Sequence, residues 1–246
     1  MSLGQNYQLA QIEKPGPVLL LGAPGVGKGT QSDILSKLWN VPKISTGEIL
    51  RANVSNGTAL GLQANDIMKR GGLVSDRVMT QMVARRLGDS DTSIGFILDG
   101  FPRTVRQARW LDSYLNVHRR GAILGIIVMR MDHQRIVERV RHRSVCPVCN
   151  TVYNAQLMPP KRNGRCDKDD SALEQRNDDS VEVFQTRLNV FRKETEPLIQ
   201  YFRGQALSIE IDAEQQPSFV TRDIVEGLTV FRKRMLLEDA LPESPS

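Results

Sequence analysis

From residue 17 onward, the chain alternates between two patterns of apolar positions. Short runs rich in Val, Ile and Leu are separated by longer stretches in which apolar residues recur at helical spacing. The short runs predict strands buried on both faces, at 18–21, 41–44, 96–99, 122–129 and 207–211. The longer stretches predict helices at 28–39, 46–55, 59–70, 76–87, 104–115, 132–141, 180–203 and 217–236. This alternation favours an α/β fold with a parallel sheet flanked by helices.

One polar segment, 142–178, interrupts the alternation. It contains several prolines and Gly164 and lies between two predicted helices, which is typical of a small insertion with its own fold. The two ends of the chain, 1–15 and the residues after 236, have little apolar surface to bury. We therefore expect both ends to be poorly ordered.

Composition excludes some classes of protein without choosing a function. With 246 residues, 40% hydrophobic and 25% charged, the chain has the composition of a globular protein with one sizeable core. No apolar run reaches the roughly 18 residues that span a bilayer, and the first residues lack a signal or transit pattern, so we expect a cytoplasmic protein. The net charge of +5 fits either a nucleic-acid-binding protein or a site that neutralises phosphates.

The strongest motif is GAPGVGKGT at 22–30, which follows a predicted strand and opens a predicted helix. It supplies GxxxxGK, in which backbone N–H groups and Lys28 surround a phosphate at the start of a helix. The strict pattern places Ser or Thr directly after the lysine, whereas here Gly29 intervenes and the hydroxyl belongs to Thr30. This phosphate loop (P-loop) predicts nucleotide binding but leaves motors, GTPases, kinases and transporter ATPases open.

Two further clusters, STGEILR at 45–51 and LDGFPRTVRQ at 98–107, follow the second and third predicted strands. In open α/β sheets, ligands bind at this end of the strands. The guanidinium groups of Arg51 and Arg103 are suited to hold a phosphate there. The pair predicts a second phosphate site beside the P-loop.

Three other side chains of these clusters have chemistry that suits a nucleotide. The hydroxyl of Thr46 and the amide of Gln107 are groups that can read the edge of a purine base. Asp99 ends an apolar strand, where a carboxylate can hold Mg²⁺ through water. These positions point to a purine nucleotide and a magnesium ion.

All three cysteines lie in the polar insertion, in the pattern C-x2-C-x16-C-x2-D formed by Cys146, Cys149, Cys166 and Asp169. This is zinc-ribbon spacing with an aspartate in the last place, and four such ligands can close a tetrahedral structural site. Asp167, Asp170 and His142 are alternative fourth ligands. An odd set of three cysteines in a reducing compartment does not point to a disulfide framework. The two competing interpretations of the segment are a nucleic-acid-binding ribbon and three cysteines that bind no metal.

Taken together, the motifs resemble those of the adenylate kinase family of nucleoside monophosphate kinases. GAPGVGKGT is similar to the family's GxPGxGKGT, STGEILR to STG(D/E)xLR and LDGFPRT to DGFPR(T/S), within a resemblance that runs from about Val18 to about Gly227. The insertion has the size of the family's long lid, and some long-lid members carry zinc with this ligand spacing. The resemblance implies a P-loop NTPase-type sheet with a helical AMP-binding insertion and a small zinc-ribbon-like lid.

The resemblance also implies a division of the chain. It gives a flexible N-terminal extension at 1–16, a P-loop core at 17–44, 75–141 and 180–236, an AMP-binding subdomain at 45–74, a lid at 142–179 and a tail at 237–246. The implied enzyme is a cytoplasmic, monomeric adenylate kinase that converts ATP and AMP into two ADP with Mg²⁺, binding neither nucleic acid nor membrane. A GTP:AMP phosphotransferase or another nucleoside monophosphate kinase is the alternative, and a nucleic-acid-binding P-loop protein is a more distant one.

Site residues follow from the resemblance position by position. Those that would take part in transfer are Lys28, Asp99, Arg103, Arg139, Arg143, Arg176 and Arg187. Those that would bind ATP are Gly25, Val26, Gly27, Lys28, Gly29, Thr30, Arg139, Arg143, Val152, Tyr153 and Gln215. Those that would bind AMP are Thr46, Arg51, Gly72, Leu73, Val74, Gly100, Phe101, Pro102, Arg103, Gln107, Arg176 and Arg187. Structural Zn²⁺ would be bound by Cys146, Cys149, Cys166 and Asp169.

Overall fold

The computed structural model describes residues 16–203 and 208–239. Its strands are β1 (Val18–Gly22), β2 (Lys43–Ser45), β3 (Ile97–Asp99), β4 (Gly125–Arg130), β5 (Arg143–Val145), β6 (Val152–Asn154) and β7 (Ser208–Asp212). Its helices are α1 (Lys28–Trp39), α2 (Thr46–Ser55), α3 (Ala59–Lys69), α4 (Asp76–Leu87), α5 (Val105–Val117), α6 (His133–Arg141), α7 (Val181–Val190), α8 (Glu196–Arg203) and α9 (Pro217–Asp239). The α/β class predicted from the sequence is confirmed.

Five strands form one parallel sheet in the order β2-β3-β1-β4-β7. The central strand β1 pairs with β3 on one side and β4 on the other, so that Val18 lies opposite both Ile97 and Gly125. In the pairing of β2 with β3, Ser45 lies opposite Asp99. The carboxyl ends of β1, β2 and β3 therefore meet at one edge of the sheet, which brings the three predicted motifs together.

Apolar packing covers both faces of the central strand. Leu19 and Leu21 pack into one buried cluster with residues of α4, α5 and α8, while Val18 and Leu20 pack into another with residues of α9. All four side chains are at most 2% exposed. Each such side chain contributes about 1.5–3 kcal/mol by leaving water, so the edge that carries the motifs is held on a rigid base.

The lid segment contains a hairpin rather than an apolar core. Strands β5 and β6 pair antiparallel, and a small cluster forms around Cys146, Tyr153 and Cys166, with Cys149 and Leu173 packed against it. This burial is far smaller than that of the sheet. The insertion therefore needs something other than apolar packing to hold its shape.

Several predicted boundaries differ from the structure. The strand expected at 122–129 begins at Gly125, which lies opposite Val18, the first residue of β1. Leu124 N still donates to Pro17 O at 2.8 Å, but a proline has no N–H with which to continue the ladder. The helix expected at 180–203 contains a π-helical segment, Phe191–Thr195, between α7 and α8. The strand expected at 41–44 is displaced to Lys43–Ser45.

The prediction of poorly ordered chain ends can be compared with the structure only at residues 237–239. Helix α9 continues to Asp239, so the first three residues of the expected tail at 237–246 are helical. The remaining residues of that tail and residues 1–15 lie outside the described part of the chain. Among the described helices, which include the 23-residue α9, we find none with the length and apolar character that crossing a bilayer requires.

Candidate active site

A single cavity of about 260 Å³ follows the carboxyl edge of the sheet and continues under the lid. Every residue that the sequence assigned to ATP lines this cavity, and so do most of those assigned to AMP. The two exceptions are Thr46 and Phe101. Thr46 is fully buried and donates its hydroxyl to the Gly100 carbonyl at 2.9 Å, while Phe101 is buried against Trp110. Both support the wall of the cavity from behind.

The P-loop at 22–30 has the backbone shape that its glycines permit. Gly25 and Gly27 adopt positive φ angles of 83° and 108°, a conformation that costs glycine little. The Nζ of Lys28 donates to the carbonyl oxygens of Gly22 at 2.8 Å and Ala23 at 2.9 Å. The lysine is thereby held across the mouth of the loop.

Burial lowers the pKa of Lys28 to about 8. Asp99 opposes this shift, whereas the guanidinium groups of Arg103, Arg187 and Arg143 add to it by repulsion. The lysine is thus one member of a group of cations that share the cavity. An anionic ligand placed among them would reverse the shift.

Asp99 lies at the end of β3, beside the P-loop. Its carboxylate is 9% exposed and accepts a hydrogen bond from the Ser45 hydroxyl at 3.4 Å. Gly29 approaches closely, since a Cβ on Gly29 would lie 3.7 Å from an Asp99 oxygen. A buried carboxylate beside a phosphate loop suits Mg²⁺, which prefers oxygen ligands and keeps several waters.

Three further arginines, Arg143, Arg176 and Arg187, line the same cavity, and two of them are paired with aspartates. Arg143 forms a two-pronged ion pair with Asp179, and Arg187 Nη1 lies 2.8 Å from an Asp178 oxygen. Arg176 differs from both, because its buried Nε has no hydrogen-bond partner among the described residues. Burial, together with repulsion from Arg143 and Arg51, lowers the pKa of Arg176 to about 10.

Hydrogen bonds hold both the backbone and the side chain of Arg103 in place. Its Nε donates to Gly100 O at 2.8 Å, its backbone N–H donates to Gln107 Oε1 at 2.7 Å, and its carbonyl accepts from the Thr195 hydroxyl at 3.0 Å. Burial, with repulsion from Arg187, lowers its pKa to about 10. The orientation of the Arg103 guanidinium is therefore fixed, and its positive charge is not fully balanced by nearby carboxylates.

Arg139 connects the P-loop with the segment after β7. Its guanidinium donates to Val26 O and Ala213 O, both at 3.1 Å. Gln215, in that segment, lines the cavity, but its amide donates to Asp223 Oδ2 at 2.9 Å. Its side chain is therefore already engaged within the protein.

Sequence reasoning missed four polar residues that position the arginines and the amide of Gln107. Asp178 and Asp179 pair with the arginines, Thr195 supports Arg103, and Asp76 accepts from the Gln107 amide at 2.8 Å. The acidic pair Asp178 and Asp179, which follows Arg176 after one residue, was a signal that could have been used, because buried arginines need carboxylates. No comparable signal marks Asp76 or Thr195, since their partners are distant in sequence.

In the lid, the structure brings together Cys146, Cys149, Cys166 and Asp169, with ligand atoms all within 4.8 Å of one another. The Cys149 and Cys166 sulfurs are 3.5 Å apart, and the Cys146 sulfur lies 3.3 Å from Asp169. Tetrahedral zinc with Zn–S bonds of about 2.3 Å separates two sulfurs by about 3.8 Å. The four residues therefore fit a zinc ion.

Backbone N–H groups are aimed at two of the sulfurs. Cys149 N donates to the Cys146 sulfur at 3.3 Å, and Lys168 N donates to the Cys166 sulfur at 3.4 Å. Such donors stabilise thiolates, which are the form that binds a metal. Burial raises the pKa of the Cys146 thiol to about 11, so a cation is needed to hold it ionised at neutral pH.

The alternative fourth ligands are engaged elsewhere. Asp167 accepts from Lys161 N at 2.8 Å, and Asp170 forms an ion pair with Arg162. His142 directly follows α6 as its C-cap residue and is not part of the cluster. The geometry therefore favours Asp169.

Comparison with known proteins identifies the family. A family model described as adenylate kinase matches residues 20–207. The chain is 41% identical over 211 residues to an adenylate kinase of Clostridium beijerinckii, covering 86% of this chain and 97% of the relative. It is 43% identical over 207 residues to one of Brevibacillus brevis (84% and 96%) and 42% identical over 217 residues to one of Onion yellows phytoplasma (88% and 99%). The resemblance carried by the motifs is confirmed, and the chain belongs to the adenylate kinase family of phosphotransferases.

Proposed function

We propose that this chain transfers a phosphoryl group reversibly from ATP to AMP, giving two ADP, with Mg²⁺ accompanying ATP. The observation that carries the proposal is a cavity shared by Lys28, Arg103, Arg176 and Arg187, whose pKa values are all lowered by burial. Cations crowded away from water need an anion, and the unpaired Nε of Arg176 provides one place for it. Two phosphate chains that meet end to end would supply that charge.

The ATP side would consist of residues 25–30 of the P-loop, Arg139, Arg143 and the lid residues Val152 and Tyr153, all of which line the cavity. The AMP side would consist of Arg51, residues 72–74, Gly100, Pro102, Arg103 and Gln107, which also line the cavity, with Thr46 and Phe101 packed behind them. Arg176 and Arg187 would lie between the two ligands. The sequence identity of 41% and 43% with two adenylate kinases, over 86% and 84% of this chain, supports this assignment.

The chemistry needs charge neutralisation and alignment more than it needs a base. The AMP phosphate has a second pKa near 6 and is largely dianionic at neutral pH, so no proton must be removed from the nucleophile. Arg103 and Lys28, held by backbone contacts, would stabilise the charge of the transferring group at fixed positions. Asp99 would hold Mg²⁺ through water, and the ion would supply further neutralisation of the phosphate oxygens.

Water must be kept from the transferring group, because it would otherwise accept the phosphoryl group. We propose that 45–74 closes over AMP and 142–179 closes over ATP, while the core at 17–44, 75–141 and 180–236 stays rigid. A zinc ion bound by the lid residues Cys146, Cys149, Cys166 and Asp169 would hold the shape of the lid and take no part in transfer. We also propose that the enzyme is a cytoplasmic monomer.

A coupled assay tests the proposal directly. ATP or GTP would be offered in turn with AMP, CMP, UMP or GMP, and nucleoside diphosphate formation would be measured. We expect ATP with AMP to be the preferred pair. A preference for GTP would favour a GTP:AMP phosphotransferase, and failure to form ADP from ATP and AMP would overturn the proposal.

A further inference from the structure

Asp76 lies at the first position of α4, directly after the proposed AMP-binding subdomain, and its carboxylate touches three residues at the start of α5. It accepts from Gln107 Nε2 at 2.8 Å and from the Thr104 hydroxyl at 3.2 Å, and Arg106 Nε lies 3.8 Å away. Neither sequence motifs nor the proposed mechanism uses this carboxylate. Its side chain is 25% exposed, whereas Gln107 is 2% exposed.

The oxygen of the Gln107 amide faces a hydrogen-bond donor, and its nitrogen faces a hydrogen-bond acceptor. Oε1 accepts from the backbone N–H of Arg103 at 2.7 Å, and Nε2 donates to Asp76. If the amide turned over, its NH₂ would face the Arg103 N–H and its oxygen would face the Asp76 carboxylate. Two hydrogen bonds would become two repulsive contacts in a buried place, where unpaired polar groups are costly. The amide therefore has one stable orientation.

A fixed amide orientation matters because purines differ in the polarity of the same edge. Adenine presents an amino donor at position 6 beside a ring acceptor, and an amide oxygen and NH₂ can match that pair. A 6-oxopurine presents an acceptor at position 6 beside an N–H donor, which an amide turned over would match equally well. A glutamine that turned freely would thus bind both kinds of base, whereas a fixed one favours adenine over a 6-oxopurine.

We propose that Asp76 is a specificity-determining positioning residue, which fixes the Gln107 amide in the orientation that accepts adenine and rejects 6-oxopurines. The inference rests on the proposed function, in which Gln107 faces the AMP base. The Arg103 N–H provides the other half of the constraint, but a backbone group cannot be changed by substitution. Substitution of Asp76 is therefore the way to remove one of the two hydrogen bonds that fix the amide.

Binding to the unmodified protein tests the fixed orientation first. Titration calorimetry would compare AMP, purine riboside 5′-monophosphate, which lacks the 6-amino group, and inosine 5′-monophosphate, a 6-oxopurine. We expect affinity to fall in that order, since the second ligand loses one hydrogen bond and the third meets two repulsive contacts. Inosine 5′-monophosphate binding as tightly as purine riboside 5′-monophosphate would overturn the inference.

The variant Asp76→Asn tests the role of the carboxylate. Its amide can turn its own NH₂ toward Gln107, which removes one of the two repulsive contacts for a reversed Gln107. We expect the ratio of AMP to inosine 5′-monophosphate affinities to fall about tenfold, with kcat at saturating AMP and the KM of ATP unchanged. A ratio within twofold of the unmodified protein would contradict the proposal.

Arg106→Ala is the matched control, because it removes the ion-pair partner of Asp76 and leaves the hydrogen bonds to Gln107 and Thr104 in place. We expect the affinity ratio to stay as in the unmodified protein. Since the titrations need no turnover, a protein that forms no ADP would sink the proposed function, while the order of affinities would still decide this inference.

Discussion

The nucleotide cavity and the cysteine cluster of the lid both gather charges of one sign, but the two regions hold them differently. In the cluster, four ligand atoms lie within 4.8 Å, and backbone N–H groups point at the sulfurs. In the cavity, Arg143 and Arg187 form ion pairs with Asp179 and Asp178, whereas the Nε of Arg176 has no hydrogen-bond partner in the part of the chain that the structure describes. Closely spaced ligand atoms that receive backbone hydrogen bonds suit an ion that stays bound. Arginines whose charge is only partly balanced by carboxylates suit anionic ligands that bind and then leave.

The largest expected effect comes from removing the ion of the lid. We expect the protein, purified without chelator, to contain about one zinc per chain. Asp169→Ala should weaken zinc binding by several kcal/mol, because one of four ligands is lost. Zinc content and the rate of proteolytic cleavage within 142–179 would measure this change.

Asp170→Ala is the control for that experiment, since Asp170 is adjacent in sequence but pairs with Arg162 outside the cluster. We expect its zinc content and cleavage rate to stay as in the unmodified protein. A folded, active sample without zinc would refute the metal site. Equal zinc loss in both variants would refute the choice of Asp169.

Arg103→Ala should have the next largest effect, which falls on enzymatic activity and not on zinc content. We expect kcat/KM to fall by about 10² or more, because a fixed donor to the transferring group is lost. Steady-state kinetics would measure the fall, with Arg109→Ala, which changes an exposed arginine of α5, as the control. Rates within threefold of the unmodified enzyme would rule out the role given to Arg103.

The pH dependence of ATP binding should report Lys28. Without ligand its pKa is about 8, and a bound triphosphate favours the protonated form and so raises that pKa. Linkage then makes ATP affinity level below about pH 8 and lower at higher pH, by less than about tenfold per pH unit. Calorimetry between pH 7.5 and 9.5, a window set by this pKa, would measure the slope.

Lys28→Met provides the comparison, since it should bind ATP more weakly but without that slope. Phosphate groups of the nucleotide titrate near pH 6 and do not contribute within the window. A flat profile for the unmodified protein would contradict the prediction. An equal slope in Lys28→Met would assign the effect to another group.

The smallest expected effect is a gain in stability when the unpaired cation is removed. Arg176→Met replaces a desolvated guanidinium by an apolar side chain and should raise the free energy of unfolding by about 1 kcal/mol. The same variant should raise the KM of AMP. Chemical denaturation and steady-state kinetics would measure the two changes, and a loss of stability would show that Arg176 is compensated within the fold.

The sequence predicted the elements that carry motifs more closely than those that do not. The P-loop, its strand and its helix were located correctly, because glycine spacing and a buried strand constrain each other. The break in the helix at 180–203 was missed, since Phe191–Thr195 contains neither Pro nor Gly to mark it. There the π-helical segment carries Thr195, whose hydroxyl reaches the Arg103 carbonyl.

The site residues divide in the same way. The arginines could be predicted from motifs, and Asp178 and Asp179 could have been found from their closeness in sequence to Arg176 and Arg187. Asp76 and Thr195 could not, because their contacts join distant parts of the chain. Asp76 and Gln107 are close only after α4 and α5 have packed together. Gln107 also shows that a residue type suited to a base can already be engaged within the fold, which sequence alone does not reveal.

The position of β1 at the centre of the sheet also bears on how the enzyme is made. Val18 pairs with Ile97 and Gly125, so the strand that carries the P-loop has no partner until those segments have been synthesised. Parallel pairings of this kind are slow to form, since a long loop must close first. A nascent chain that ends before residue 97 would contain the whole P-loop sequence and no phosphate site, and we expect nucleotide binding to appear only when β3 and β4 have left the ribosome.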